Sequence, residues 1–148
     1  MSLTVSFLQQ ADRQQWELLY EGYADFYQVP MTEQIKTTVW DWIFNPQQPF
    51  HCLIAKDEWG NGLGLMHVHA MMSPLRGCHV GFLNDLYVVP DARGRGVTDQ
   101  LFKELELLAK AQQWPFVRWN TADNNYRGRG YYDKVSNKTQ WLTYQLDL

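Results

Sequence analysis

The sequence predicts a mixed α/β domain with helices on both sides of a sheet, on three observations. Apolar residues recur at helical spacing near the N-terminus and again over 97–112. Short apolar runs broken by turn signals occupy 51–89. Read in order, the elements run β-αα-βββ-α-β-α-β, an alternation that suits helices layered on a sheet. One domain, 1–148, is expected, because 148 residues that are 45% hydrophobic, with 7 Trp, 8 Tyr and 7 Phe, can bury a sizeable core.

Residues 3–8 read as a short strand. Asp12 is expected to cap the helix after it, and Trp16, Leu19, Tyr20, Tyr23 and Tyr27 give that helix an aromatic face ending at Pro30. Thr32 caps a second helix, with Ile35, Val39, Trp40 and Ile43 on one side and Asn45-Pro46 at its close. The runs 51–56 and 62–72 flank a hairpin turn at 58–62, and Pro74 to Gly77 makes the next turn. A long strand over 79–89 stops at Pro90. Over 97–112, Leu101, Phe102, Leu105, Leu108 and Ala109 share one helix face, away from Lys103, Glu104, Glu106 and Lys110. A strand over 115–121, a short helix over 125–134 and a final strand over 139–147 complete the order.

Thirteen Lys and Arg against sixteen Asp and Glu leave a net charge of −3, which argues against nucleic acid or an anionic membrane surface as partner. Two cysteines, Cys52 and Cys78, make neither a disulfide framework nor a zinc site, and no metal is expected. No signal-peptide pattern opens the chain, and no apolar run approaches the roughly 20 residues of a membrane span. A cytoplasmic location is the expectation.

The most informative stretch is Leu86-Tyr87-Val88-Val89-Pro90-Asp91-Ala92-Arg93-Gly94-Arg95-Gly96-Val97-Thr98. An apolar strand enters a loop with two glycines and an amphipathic helix leaves it. Such a loop brings backbone N–H groups close to an anion, and the helix N-terminus adds partial positive charge. A simple turn between strand and helix would use the same glycines. A dinucleotide fingerprint fails, because Asp99 stands at the third glycine position, and no Gly-Lys-Ser/Thr of a phosphate-binding P-loop is present.

The run Leu-x-Val-x-Pro-x-x-Arg-Gly-x-Gly at 86–96 resembles the acetyl-CoA loop of the GCN5-related N-acetyltransferases, the GNAT superfamily. Their pattern, Arg/Gln-x-x-Gly-x-Gly/Ala, is met by Arg93 and Gly96 and left at Thr98. A second block agrees: Asn125-x-x-Gly128-x-x-Tyr131-Tyr132 resembles the family's Asn-x-x-Ala-x-x-Phe/Tyr-Tyr, with Gly128 for Ala. The pattern over 80–148 is most similar to the small histone- and polyamine-directed members. The resemblance implies a mixed, mostly antiparallel sheet of about six or seven strands, with a splayed central pair.

It also implies acetyl-CoA as donor. By that analogy the strand at Leu86, Tyr87 and Val88 holds the pantetheine arm. Gly94, Arg95, Gly96, Val97 and Thr98 offer N–H groups to the diphosphate, Arg93 shapes the loop, and Asn125 bonds the cofactor from the helix side. Tyr132 stands where the family keeps the acid that protonates the leaving thiolate, and a phenol of pKa near ~10 is suited to that; a packed tyrosine, as expected for Tyr131, is the other reading. Asp85 draws a proton from the amine, anchors its charge, or is only a solvated carboxylate. Glu21 and Asp25, four apart beside Tyr27, offer a cationic acceptor charge and aromatic walls, or form a solvated face. His67 and His69 are read as structural. The expected activity is direct acetyl transfer to a primary amine: a small amine or polyamine, a lysine or an N-terminal amine. A non-catalytic acetyl-CoA-binding or sensing module is the alternative, and Tyr132 and Asp85 favour the enzyme. The aromatic content and the family's pairing habit point to a homodimer.

Overall fold

The structure, a computed structural model, describes residues 2–148. Its strands are β1 (Leu3–Phe7), β2 (Phe50–Asp57), β3 (Gly62–Ser73), β4 (Cys78–Val88) and β5 (Val117–Arg118), and its helices α1 (Arg13–Phe26), α2 (Glu33–Phe44), α3 (Val97–Ala111) and α4 (Tyr126–Val135). The strands lie in sequence order in one sheet, antiparallel from β1 to β4 and parallel between β4 and β5.

Alternation along β2 and β3 divides the core between the two faces of the sheet. Leu53, Ala55, Met66 and Val68 meet Leu101, Leu105 and Leu108 of α3 on one face. Cys52, Ile54 and Leu65 meet Trp16, Leu19 and Tyr20 of α1 and Trp40 of α2 on the other. Helices therefore cover both faces, as expected. Thr32 caps α2 by accepting a hydrogen bond from the Ile35 N–H at 3.1 Å.

Two local irregularities in β4 decide where a ligand can sit. The β3–β4 register shifts so that His67 faces Asp85 while Val68 faces Leu83, leaving Asn84 as a bulge. The extra residue turns Asp85 towards α1, although Leu83 packs towards α3. Beyond Phe82 the far edge of β4 has no strand partner, because β5 pairs only through Gly81↔Val117 and Phe82↔Arg118.

Several expectations need correction. The sheet has five strands rather than six or seven. The strand expected over 115–121 is reduced to Val117–Arg118, so the splay lies at the sheet's edge and not at its centre. Residues 139–147 form no strand: β5 offers a ladder two residues long, and the alternating apolar side chains of the tail remain exposed. Asp12 closes a 3-10 turn and does not cap α1 through its side chain. Its carboxylate is taken by Lys56 at 2.8 Å and by the Gln9 N–H at 2.8 Å.

Candidate active site

The splay opens a cleft of about 640 Å³ between β4, the loop after it, and α4. That size suits a ligand of cofactor dimensions. Leu86, Tyr87 and Val88 form its strand wall, Arg93, Gly94, Gly96, Val97 and Thr98 its loop and helix end, and Asn125, Tyr131 and Tyr132 its far wall.

The loop is shaped by backbone conformation. Gly94 and Gly96 have φ of +77° and +82°, and a Cβ on either would meet nothing within 4 Å. The glycines are therefore needed for left-handed backbone, and the space above them stays free. Gly96 begins α3 without a side-chain cap, and the first bond of the helix is Gln100 N–H to Gly96 C=O. The N–H groups of Val97, Thr98 and Asp99 precede that bond, so the positive end of the helix faces the cleft with donors to offer. Arg93 donates from Nε to the Val88 carbonyl at 3.0 Å, and its guanidinium lies 5.9 Å from the rings of both Phe26 and Tyr87. It fastens the loop to β4 and α1.

The far wall is set by Asn125. Its Oδ1 accepts from the Gly128 N–H at 3.3 Å, which caps α4, and its Nδ2 donates to Thr121 Oγ1 at 3.0 Å. A Cβ at position 128 would lie 2.5 Å from Asn125 Nδ2, so the cap in this form requires the glycine. Tyr132 packs against Trp119 at 5.4 Å between ring centroids, and burial, then Tyr27, push its pKa up. Tyr132, Tyr27 and Leu86 also border a smaller cleft with Tyr23, Asn84 and Trp119, and so stand at the junction of the two.

Asp85 lies on the α1 side of β4. Its Oδ2 is 2.8 Å from His67 Nδ1, and a fifth of its side chain is exposed. Tyr20 is pushed up to about 12 by burial and by the charge of Asp85, Tyr27 is pushed up by the same two causes, and Tyr23 by these and by a hydrogen bond with Asp85. All three hydroxyls keep their protons. Tyr87, on the same strand face, packs where a Cβ on Gly22 would come within 2.7 Å of its hydroxyl oxygen.

Eleven of the residues singled out from sequence thus border the large cleft: Tyr27, Leu86, Tyr87, Val88, Arg93, Gly94, Gly96, Val97, Thr98, Asn125 and Tyr132. Arg95 is exposed beside it. Glu21, Asp25 and Asp85 line neither cleft, although the neighbours of Asp85 on β4, Asn84 and Leu86, do. The Glu21 carboxylate is held by Lys36 Nζ at 2.8 Å, and Asp25 is exposed outside both clefts. Sequence reasoning passed over Tyr23 as a site residue, Trp119, and the pairing of His67 with Asp85. Only the aromatic periodicity of α1 hinted at the first.

Residues 16–136 match the Acetyltransferase (GNAT) family. The chain belongs to this family. As a GNAT acetyltransferase it is an acyltransferase enzyme, and it shares 28% identity over 144 residues with the D-amino-acid N-acetyltransferase HPA3 of Saccharomyces cerevisiae, covering 97% of this chain and 89% of that one. Among solved structures, AAC(6')-Iy in complex with the bisubstrate analog CoA-S-monomethyl-acetylneamine is 15% identical with a TM-score of 0.87, covering 100% of this chain and 99% of that one. A ribosomal-protein-alanine N-acetyltransferase from Brucella melitensis biovar Abortus 2308 is 20% identical with a TM-score of 0.82, covering 100% of both chains. These two likenesses establish the acetyltransferase's fold. Among the described residues, no group of three His, Cys, Asp or Glu side chains is placed to hold a metal ion, and no helix is long and apolar enough to cross a membrane.

Proposed function

We propose that this acetyltransferase, acting as a single domain over 1–148, moves the acetyl group of acetyl-CoA directly to a primary amine that arrives as a cation. The observation that carries the reading is the unpaired edge of β4. It runs along one cleft from Leu86 to the glycine loop and helix end, and Tyr132 stands where that cleft meets a second one. An extended arm lies along free strand edges, and a diphosphate suits fixed backbone donors that need no reorganisation. Acetyl-CoA supplies the acetyl group activated as a thioester. Arg93 holds the loop, Asn125 fixes the start of α4, and Val97 and Thr98 present N–H groups.

Asp85 takes a proton from the ammonium, directly or through water, and so frees the lone pair that attacks the carbonyl carbon. Tyr132 gives its proton to the departing sulfur as the tetrahedral intermediate collapses. No acyl-enzyme forms: Cys52 is buried with its thiol pushed up by burial, and Cys78 is exposed and lines neither cleft. One carboxylate amid Tyr20, Tyr23 and Tyr27 suits a cation through charge and aromatic faces. The relatives named above all act, by their names, on amino-bearing acceptors, which supports the class: small amine, polyamine, lysine or N-terminal amine.

The unpaired cysteines fit a reducing, cytoplasmic setting. The exposed run of Trp141, Leu142, Tyr144, Leu146 and Leu148 supports pairing into a homodimer. The deciding experiment follows CoA release with acetyl-CoA and a panel of amines. Turnover with cationic amines is expected; binding of acetyl-CoA without turnover of any amine would mark a sensing module instead.

A further inference from the structure

We propose that His67, keyed by Trp16, is a positioning residue that holds Asp85 as an anion facing the acceptor amine; this rests on the amine-transfer reading above. His67 has no exposed surface, and it is enclosed by Trp16, Tyr20 and Phe50, with the Tyr20 ring edge-on at 5.0 Å. A buried imidazole needs partners for both nitrogens, because water cannot reach them. Both are met: Trp16 Nε1 lies 3.0 Å from Nε2, and Asp85 Oδ2 lies 2.8 Å from Nδ1.

An indole N–H only donates, so Nε2 accepts and the ring proton sits on Nδ1. From there it donates to the Asp85 carboxylate. A second proton on the ring would set an N–H against the indole N–H. His67 is therefore a fixed donor and not a proton carrier. The bulge at Asn84 is what brings Asp85 opposite it.

The titratable groups facing Asp85 are Tyr20 and Tyr23 from α1, Tyr27 just past its end, Cys52 from β2 and His67 from β3. The phenols and the thiol carry no positive charge in either form, and burial and Asp85 itself keep them protonated and neutral. The His67 N–H donates to one oxygen of the Asp85 carboxylate before an ammonium arrives, and the Tyr23 hydroxyl is a second hydrogen-bond partner of the same carboxylate.

Asparagine places an amide nitrogen where His67 has Nδ1, and glutamine reaches only the position of Nε2. His67→Asn keeps the donor to Asp85 and gives up Trp16; His67→Gln does the reverse. The Asp85 carboxyl carbon is titrated by ¹³C NMR in both variants and in the wild-type protein, alongside the pH profile of kcat/KM for the amine. In His67→Gln the Asp85 midpoint should rise by about one pH unit or more, with the acidic limb of kcat/KM moving alongside it, while His67→Asn stays near wild type. A midpoint unmoved in His67→Gln, or moved equally in both variants, overturns the role. A midpoint that moves while the acidic limb stays removes Asp85 from the reaction, and the positioning role falls with it. Wild-type protein that turns over no amine overturns the proposed function, whereas His67 is judged by the titration. If neither variant folds, ¹⁵N NMR of wild-type His67 decides: Nδ1 protonated and Nε2 bare at neutral pH is expected, and the opposite tautomer or an imidazolium overturns the proposal.

Discussion

Tyr132 and Asp12 show how far a single side chain can be followed. Burial holds the Tyr132 proton beyond the ordinary tyrosine range, so the acid form persists into alkaline solution. Tyr132→Phe should cut kcat by about 10²–10⁴, the range for losing a general acid, with acetyl-CoA affinity within severalfold of wild type; steady-state kinetics and a binding titration check the two parts. Asp85→Asn should lower kcat/KM for amines and leave acetyl-CoA binding alone, read in the same assays. Asp12 is a structural case. Burial opposes its charge, yet the Lys56 ammonium and the Gln9 N–H outweigh that and hold its carboxyl below the usual range. A lowered folded-state pKa stabilises the protein above the unfolded value of about 3.9, and that stability is lost as pH falls through the folded value. Asp12→Asn should therefore cost about 1–3 kcal/mol near neutral pH, and the gap in Tm between variant and wild type should close in strong acid. The sequence pointed to a helix cap at Asp12 because capping is local. The partner that claims the carboxylate lies 44 residues away.

Among the elements, the start of α3 is the most exposed to test. Gly96→Val puts a branched side chain on left-handed backbone, a strain of about 1–2 kcal/mol, and fills space that the cleft keeps open. Acetyl-CoA affinity should fall by about 2 kcal/mol or more, measurable by calorimetry, and a melting curve should report the strain separately. This loop was legible in the sequence because backbone donors, glycines and helix periodicity are all written within a dozen neighbouring residues. The hairpins and α4 were legible for the same reason. Strands that depend on a distant ladder were not: the pattern of 139–147 alternates as a strand should, but β5 gives it nothing to pair with. Neither was the bulge at Asn84, which exists only in the pairing of β3 with β4. The chain from Trp16 through His67 to Asp85 joins residues 51 and 18 positions apart, and two alternating histidines on a strand gave no sign of it.

For the whole molecule, acetyl-CoA at a hundredfold over its Kd should raise stability by about 2.7 kcal/mol, and a melting curve unmoved by saturating ligand would remove it as donor. Removing 139–148 should shift a homodimer towards monomer in sedimentation, with little loss of fold, since no core residue lies in that segment. One consequence of α4 concerns time rather than space. Alone among the four helices, α4 has no buried residue, and it comes after a strand that pairs through two residues. Amides of such a segment exchange with deuterium through local openings well below the cost of global unfolding. A donor filling the cleft that α4 lines would close those openings, so added protection over 126–135 should appear on adding acetyl-CoA and not on adding amine alone. Tyr132 rides on this helix, so its acid is fully in place only once the donor has bound; the kinetic scheme should be sequential and ordered, with the amine second.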